Sequence, residues 1–233
     1  MKRIIVLAVL LALTAAFHTS AVFASGMQDD VDQAATIIQR FEAIPEQSIP
    51  PAVLRDARGL AILTVVKAGF MFSGRGGTGV VVARTGKGWS GPSAIGTGGV
   101  GFGLQIGAEV TEFVIVLNTD DAVRAFAQKG NVELGGDLSL AAGPIGRTAE
   151  ANVTPIAAVY TYSRSQGLFA GASLEGTVIA TRNDANALYY GKSVTPQQIL
   201  AGNVAPPAGA TRLENVLVAA QSGRCGNNML ACK

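Results

Sequence analysis

The sequence has almost none of the side chains that usually perform acid–base and metal chemistry. It contains one histidine, His18, and two cysteines, Cys225 and Cys232, in 233 residues. His18 lies in a segment that we expect to be removed, and both cysteines lie at the extreme C-terminus. Neither a Ser-His nor a Cys-His catalytic pair can therefore be assembled, and a histidine-containing metal site is excluded. The composition predicts no metal, no cofactor and no catalytic residues.

Nucleotide-binding loops are also missing, although two segments match the spacing G-x-G-x-x-G. These are residues 74–79 (GRGGTG) and 96–101 (GTGGVG). A dinucleotide site needs that loop to open a helix and an acidic residue about twenty positions later. Strand-like residues follow both matches, and no Gly-Lys-Ser/Thr follows either one. Neither loop is predicted to bind a nucleotide.

Two weaker catalytic arrangements remain, and we favour a structural interpretation of each. Ser73 and Lys67 could form a serine-lysine pair, but a loop serine and a solvated lysine are the simpler interpretation. Glu109 and Glu112 lie three residues apart on a predicted strand, so their carboxylates point to opposite faces. We expect them to supply surface charge and a partner for a nearby arginine. The chain is therefore predicted not to be an enzyme.

The N-terminus has the pattern of a secretory signal. Lys2 and Arg3 precede an apolar run at residues 4–17, which is shorter than the ~20 residues that span a bilayer. Residues 22–24 end in the small residue Ala24, after which we expect cleavage. The mature chain is then expected to be periplasmic or secreted. Because Lys2 and Arg3 account for the whole net charge of +2, the mature chain is formally neutral, which argues against nucleic acid as a partner.

Export also bears on the cysteines, because disulfides persist in oxidising compartments. Cys225 and Cys232 are close enough in sequence to close a small local loop. We predict that they pair and pin a tail at residues 221–233, with a single domain at residues 25–220.

Acidic residues are absent from residues 57–108, whereas basic ones are present. This block is either a solvated basic face or a surface that faces an anion. Its cations are Arg58, Lys67, Arg75, Arg84 and Lys87.

The same block holds fourteen of the twenty-nine glycines, between residues 67 and 107. Strand-like runs occur at residues 60–66 and 78–84, and a third alternates apolar residues with glycines over residues 99–110. The glycine face would let another layer or an acyl chain lie close to the backbone. Because Glu112 falls on the apolar parity, we expect a bulge or bend near Thr111.

Helical patterns flank these strands. The predicted helices cover residues 28–43, 122–128, 184–190, 196–200 and 212–220, with a short one starting at residues 50–51. Residues 156–164 and 168–181 are predicted to form a hairpin that turns at residues 165–167. The expected fold class is α+β, with a strongly curved antiparallel β-sheet, barrel- or sandwich-like, and short flanking helices.

One segment combines aromatic and basic residues. Phe70 and Phe72 lie between Lys67 and Arg75, which is the arrangement expected where rings enter a bilayer and cations meet lipid phosphates. Core packing of the two rings is the favoured interpretation, since large apolar residues are usually buried.

Four long blocks together resemble the SYLF domain family, a lipid-binding and yeast actin-binding module. They are ARGLAILTVVKAGFMFSGRGGTGVVVAR, WSGPSAIGTGGVGFGLQIGAEVTEFVIVLNT, GNVELGGDLSLAAGPIGR and YSRSQGLFAGASLEGTVIATRNDANALYYG, and the resemblance covers residues 31–216. It implies a non-catalytic module that binds phosphoinositides or other acidic lipids and, in some fungal members, actin. The first helix departs from the family's basic pattern through Asp29, Asp30 and Asp32. Export would separate the chain from actin, so actin is not an expected partner.

The combined prediction is a lipid- or membrane-surface-binding module of the cell envelope. The alternative is a structural or interaction protein of the envelope whose basic face meets a protein or an anionic polymer. The predicted lipid-binding residues are Arg58, Lys67, Phe70, Phe72, Arg75, Arg84 and Lys87.

Overall fold

The structure is a computed structural model, and it describes residues 26–44, 48–128, 131–133, 140–142, 158–171 and 178–223. The predicted signal, its cleavage after Ala24 and the predicted pair Cys225–Cys232 lie outside the described residues. Those three predictions stay predictions.

Helices and strands occur in separate runs along the described chain, as in an α+β fold. The helices are α1 (Met27–Glu42), α2 (Pro51–Asp56), α3 (Asp120–Ala127), α4 (Asn183–Tyr190), α5 (Pro196–Leu200) and α6 (Thr211–Gln221), with a 3₁₀ turn at Ala208–Ala210. The strands are β1 (Gly59–Thr85), β2 (Gly88–Trp89), β3 (Ser93–Leu117), β4 (Asn131–Glu133), β5 (Leu140–Ala142), β6 (Val159–Gly171) and β7 (Val178–Thr181). The predicted helices are confirmed to within about two residues, the uncertainty that helix ends always carry.

The described strands form one open sheet of seven strands in the order β2-β1-β3-β6-β5, with β7 beside β3 and β4 beside β7. All pairs are antiparallel except β5 with β6. The predicted fold class is confirmed. Its dominant feature is a hairpin of β1 and β3 that is paired from Gly59↔Leu117 to Val81↔Ser93.

This hairpin doubles back on itself. A straight strand as long as β1 would extend about 90 Å, yet the backbone N–H of Arg84 donates to the carbonyl of Arg58 at 2.7 Å. The bend lies where the register shifts between Phe70 and Phe72. The prediction of a bulge or bend near Thr111 is wrong, because pairing there is continuous. Glu112 occupies an otherwise apolar position of β3 for a different reason: it forms a buried ion pair, which is described below.

Two glycines permit the doubled hairpin to pack closely. A Cβ on Gly77 would lie 2.2 Å from the carbonyl oxygen of Thr64, and one on Gly79 would lie 2.1 Å from that of Ile62. No side chain fits at those distances, so Gly77 and Gly79 are positions of close packing on β1. The close approach predicted for the glycine face of residues 99–110 stays a prediction. On β3, by contrast, a Cβ on Gly98 would meet nothing within 4 Å.

The doubled hairpin has two regions with different surroundings. We call residues 59–65 and 77–83, with their partners 93–97 and 111–117, the base; residues 66–76 and 98–110 form the apex. In the base, alternate residues face two cores. Leu60, Ile62, Val80 and Val82 pack in a core with α1 and α6 residues, whereas Ala61, Leu63, Val81 and Ala83 pack in a core with α3 residues.

The predicted hairpin between residues 156 and 181 is wrong. Strand β6 runs without a turn through residues 165–167, where it pairs with Thr111, Val110 and Glu109. Gly167 has φ +130°, and a Cβ there would lie 2.4 Å from the carbonyl oxygen of Ala108. This glycine therefore marks a close approach to β3 and not a turn.

Candidate functional site

The apex exposes large apolar side chains to solvent. The exposed fraction is 68% for Phe70, 59% for Ile106, 40% for Val110 and 86% for Val100. Core packing of Phe70, the favoured interpretation from sequence, is therefore wrong. The side chain of Phe72 lies outside the described residues.

Strand register places three of these side chains on one face. Phe70 lies directly opposite Ile106, and Val66 lies opposite Val110. Cross-strand partners share a face, as do residues two apart on one strand. Phe70, Ile106 and Val110 therefore lie exposed on one face of the apex, and we call them the apolar patch. Monomeric soluble proteins rarely leave such contiguous surface uncovered without using it for binding.

Two of the predicted cations belong to the apex. Lys67 lies opposite Glu109, on the face away from Phe70, and Arg75 lies opposite Gly99. Both residues are half-buried. The register therefore places both cations in the apex but gives neither a place in the apolar patch.

The other three predicted cations lie at the opposite end of the hairpin. Arg58 pairs with Asp120 at 3.8 Å, and both side chains are largely exposed. Lys87 is exposed in the turn between β1 and β2. The structure thus divides the predicted basic set between the two ends of the hairpin.

Arg84, the third of these cations, makes its contacts with other elements of the fold. Its Nη2 donates to the carbonyl of Leu54 at 3.0 Å and to Oε1 of Gln221 at 2.8 Å. Its guanidinium stacks on the ring of Trp89 at 3.8 Å, and burial lowers the pKa of Arg84. These contacts join the end of β1 to α2 and α6.

The acidic residues of α1, which depart from the family's pattern, hold this helix against the sheet and α6. Asp30 is buried and accepts from Arg182 Nη1 at 2.9 Å and from Thr78 Oγ1 at 2.6 Å. Asp32 pairs with Arg212 at 3.7 Å. The negative charge in the first turns of α1 therefore has structural partners within the fold.

Glu112 confirms the expectation of an arginine partner, although it is not a surface residue. It is 5% exposed, forms an ion pair with Arg40 and accepts from Gln33 Nε2 at 3.3 Å. The sequence signal was its place on the apolar parity of β3, since a carboxylate at a core position needs a charged partner.

Groups that could act in catalysis are sparse. Burial raises the pKa of Tyr162 and Tyr190, and it raises the pKa of Tyr189 to about 12, so these phenols are uncharged at neutral pH. Within the described ranges no group of three or more His, Cys, Asp or Glu side chains could hold a metal ion. Searched over the same residues, the helices include none with the length and apolarity to cross a membrane.

Comparison with known proteins identifies relatives over most of this fold. The family model described as "Ysc84: Las17-binding protein actin regulator" matches residues 98–220. An SH3 domain-containing protein of Schizosaccharomyces pombe is 53% identical over 177 residues, which are 74% of this chain and 41% of that protein. LAS seventeen-binding protein 3 of Saccharomyces cerevisiae is 51% identical over 177 residues, 74% of this chain and 39% of that protein.

A human protein is similar over a longer stretch. SH3 domain-containing YSC84-like protein 1 of Homo sapiens is 47% identical over 201 residues, which are 83% of this chain and 59% of that protein. The chain thus spans only part of the length of these relatives. No solved structure matches it.

Proposed function

The chain belongs to the Ysc84 family, whose model describes Las17-binding actin regulators, and on that premise we propose that it is a non-catalytic module that binds anionic lipid surfaces through its apex. The observation that carries the proposal is the exposed apolar patch of Phe70, Ile106 and Val110. Lys67 and Arg75 lie in the same apex, with Lys67 on its other face. The proposed location is the cell envelope, which follows from the predicted signal.

The energies suit reversible adsorption to a membrane. Burying a large apolar side chain is worth roughly 1.5–3 kcal/mol when it starts fully exposed, and the three patch residues start 40–68% exposed. Each basic residue near an anionic surface adds about 1 kcal/mol. Contributions of this size, set against the cost of immobilising the protein, make adsorption weak and reversible, and the basic residues make it depend on salt.

Vesicle sedimentation with the purified chain tests the role of the apolar patch. Binding is expected to rise with the fraction of phosphatidylserine and to fall with added salt. Phe70→Ser and Ile106→Ser should each weaken binding about tenfold, since each loses about 1.4 kcal/mol of apolar transfer. Leu188→Ser is the matched control, because Leu188 is 87% exposed on α4, outside the apex.

Charge reversal shows which end of the hairpin meets the lipid. Lys67→Glu and Arg75→Glu should weaken binding several-fold at low salt, whereas Arg58→Glu and Lys87→Glu should leave it unchanged. Loss of binding in the Arg58 and Lys87 variants alone would move the site to the other end of the hairpin. Absence of binding to every vesicle composition would overturn the proposal.

A protein partner is the second candidate, favoured by the names of the relatives, two of which refer to Las17 binding or Ysc84. The same apolar patch could be covered by a protein of the compartment in which the chain resides. A stoichiometric partner recovered by pull-down, lost on Phe70→Ser and kept on Leu188→Ser, together with no vesicle binding, would favour this candidate. Actin binding by this chain rests on family analogy alone.

A further inference from the structure

Three polar residues lie side by side on the face of the sheet that carries the apolar patch. Glu112 of β3 lies directly opposite Thr64 of β1 on one side and Arg164 of β6 on the other. Glu112 is two residues from Val110, a member of the patch, so both side chains project from the same face. We call Thr64, Glu112 and Arg164 the polar row.

The polar row marks the border between a core and the open part of this face. On β6, Tyr162 precedes the row and is buried in the core with α1 residues, whereas Gln166 follows it and is exposed. On β3, Val114 lies in the same core and Val110 lies in the patch. Arg164 itself is partly exposed. The row is therefore the last one before the face opens to solvent.

The charged groups at the polar row are two arginines and one carboxylate. Arg40, from the last turn of α1, forms an ion pair with Glu112, and its side chain is 43% exposed. Arg164 forms no hydrogen bond or ion pair with any of the described residues, although Glu112 lies directly opposite it. Strands β1, β3 and β6 contain only two acidic residues, Glu109 and Glu112, and Glu109 lies on the other face. The charge of Arg164 is thus left uncompensated on the face of the patch.

An arginine in this position suits a phosphate group. Its planar guanidinium presents paired N–H donors that match phosphate oxygens, and it stays charged at every physiological pH. The exposed amide of Gln166, two residues along β6 on the same face, offers a further donor. Arg182 and Arg212, by contrast, use their guanidiniums within the fold.

The spacing between the polar row and the patch suits the layers of a membrane. Strand residues advance about 3.3 Å each, so Glu112 lies about 7 Å along β3 from Val110. The headgroup layer on each side of a bilayer is roughly 5–7 Å thick. When Phe70 and Ile106 enter the acyl boundary with Val110 at its edge, the polar row reaches the level of the lipid phosphates.

We propose that Arg164, assisted by Arg40 and Gln166, binds the phosphate group of an anionic membrane lipid whose acyl chains meet the apolar patch. This proposal rests on the proposed function of the apex and names the residue that recognises the headgroup there. Lys67, on the other face of the same strands, contributes charge at longer range and does not contact the same phosphate.

Sedimentation with phosphatidylglycerol vesicles tests the proposal, because the phosphate is the only charged group of that lipid. Arg164→Gln should weaken binding about tenfold or more. Arg164→Lys should weaken it several-fold, since an ammonium keeps the charge but lacks the paired donors. Lys67→Arg is the matched control and should leave binding unchanged, because a charge that acts at a distance is insensitive to the shape of the group.

Urea unfolding separates this role from a structural one. Because Arg164 has no polar partner among the described residues, Arg164→Gln should leave the urea midpoint nearly unchanged. An Arg164→Gln variant that loses stability and binding together, while Arg164→Lys keeps both, would give Arg164 a structural role and overturn the proposal.

Glycerol 3-phosphate distinguishes a lipid phosphate from a soluble one. Followed by amide chemical shifts, it should move residues 110–112 and 163–166 little below about 10 mM, because a soluble phosphate gains nothing from the patch. Saturable shifts at lower concentration that are lost in Arg164→Gln, together with no vesicle binding, would assign the site to a soluble phosphate and overturn the lipid assignment.

The outcomes also separate this proposal from the proposed function. Weaker vesicle binding in both Arg164 variants, with Lys67→Arg unchanged, supports the two together. If Phe70→Ser weakens binding and neither Arg164 variant does, the apex binds lipid but Arg164 does not hold the phosphate. If the unmodified chain binds no vesicle and glycerol 3-phosphate causes no shifts, both proposals fail.

Discussion

The base and the apex belong to the same two strands, and yet one is a core and the other is a surface. Ile62 in the base has no exposed area, whereas Ile106 in the apex is 59% exposed. Both isoleucines lie in the same antiparallel ladder and follow the same alternation. What differs is the covering, because α1, α3 and α6 pack against the base. Regular pairing and apolar alternation therefore make a strand, but only a second layer makes a core.

This comparison also explains how the molecule can carry an uncovered patch. The base supplies two cores that hold the hairpin, so the apex need not bury its apolar side chains for the fold to be stable. Residues that do not contribute to stability are free to serve binding. The contrast can be tested by making the same substitution in both regions.

The largest difference in stability between a base variant and an apex variant is expected for a matched pair of isoleucines. Ile62→Ala should lower the free energy of unfolding by about 3–4 kcal/mol, because it leaves a cavity in a fully buried site. Ile106→Ala should change the free energy of unfolding by less than about 0.5 kcal/mol, as substitutions at exposed sites usually do. Urea unfolding of both variants measures the difference. Similar losses in the two variants would mean that the apex is covered in solution, for instance by a second copy.

A matched pair of glycines should give the next largest difference. Gly79→Ala places a methyl group 2.1 Å from a backbone oxygen and should cost about 2–3 kcal/mol, since backbone must move. Gly74→Ala in the apex meets nothing within 4 Å and should be neutral or stabilise by up to about 0.5 kcal/mol. Thermal unfolding midpoints compare them. A tolerated Gly79→Ala would show that the doubled strand does not pack as closely as described.

The smallest difference in stability loss is expected between alanine variants of two arginines. Arg40→Ala removes the partner of a buried carboxylate and should cost about 1–2 kcal/mol, less than for a fully buried pair because Arg40 is 43% exposed. Arg58→Ala breaks an exposed pair and should cost less than about 0.5 kcal/mol. Urea unfolding at neutral pH measures both. Adding Glu112→Gln to Arg40→Ala removes the unpaired buried charge and should restore part of the lost stability. If it restores none, the buried charge is not the cause of the loss in Arg40→Ala.

Much of the architecture could be predicted because local signals are strong. Thr119 caps α3, with its hydroxyl accepting from the backbone N–H of Ala122. The apolar period of α1 places Val31 and Ile38 in the core. The expected arginine partner of Glu112 is confirmed, whereas the bulge predicted from its place in the apolar alternation is wrong. The hairpin at residues 165–167 was mispredicted because Ser-Gln-Gly is a turn-like sequence, and only the neighbouring strand shows that Gly167 serves a close approach instead.

The candidate site was predicted less well than the fold. Lys67, Phe70 and Arg75 all lie in the apex, with Lys67 on the face away from Phe70, whereas Arg58, Arg84 and Lys87 lie at the other end of the hairpin. The sequence suggested one surface, but β1 doubles back, so its two ends lie together at the base and its middle forms the apex. A cavity of about 290 Å³ between α1 and β1, lined among others by Asp30 and Thr78, had no sequence signal, because it joins residues that are dozens of positions apart.

The sequence by itself determined the family, the α+β class, the helices and the alternation of the strands, since these depend on neighbours along the chain. The tertiary structure alone decided which half of the hairpin is buried. Periodicity tells which residues share a face, but it does not tell whether that face is covered. The cover here comes from α1 and α6, at opposite ends of the described chain, which meet only after folding. That long-range packing buries the base and leaves the apex open.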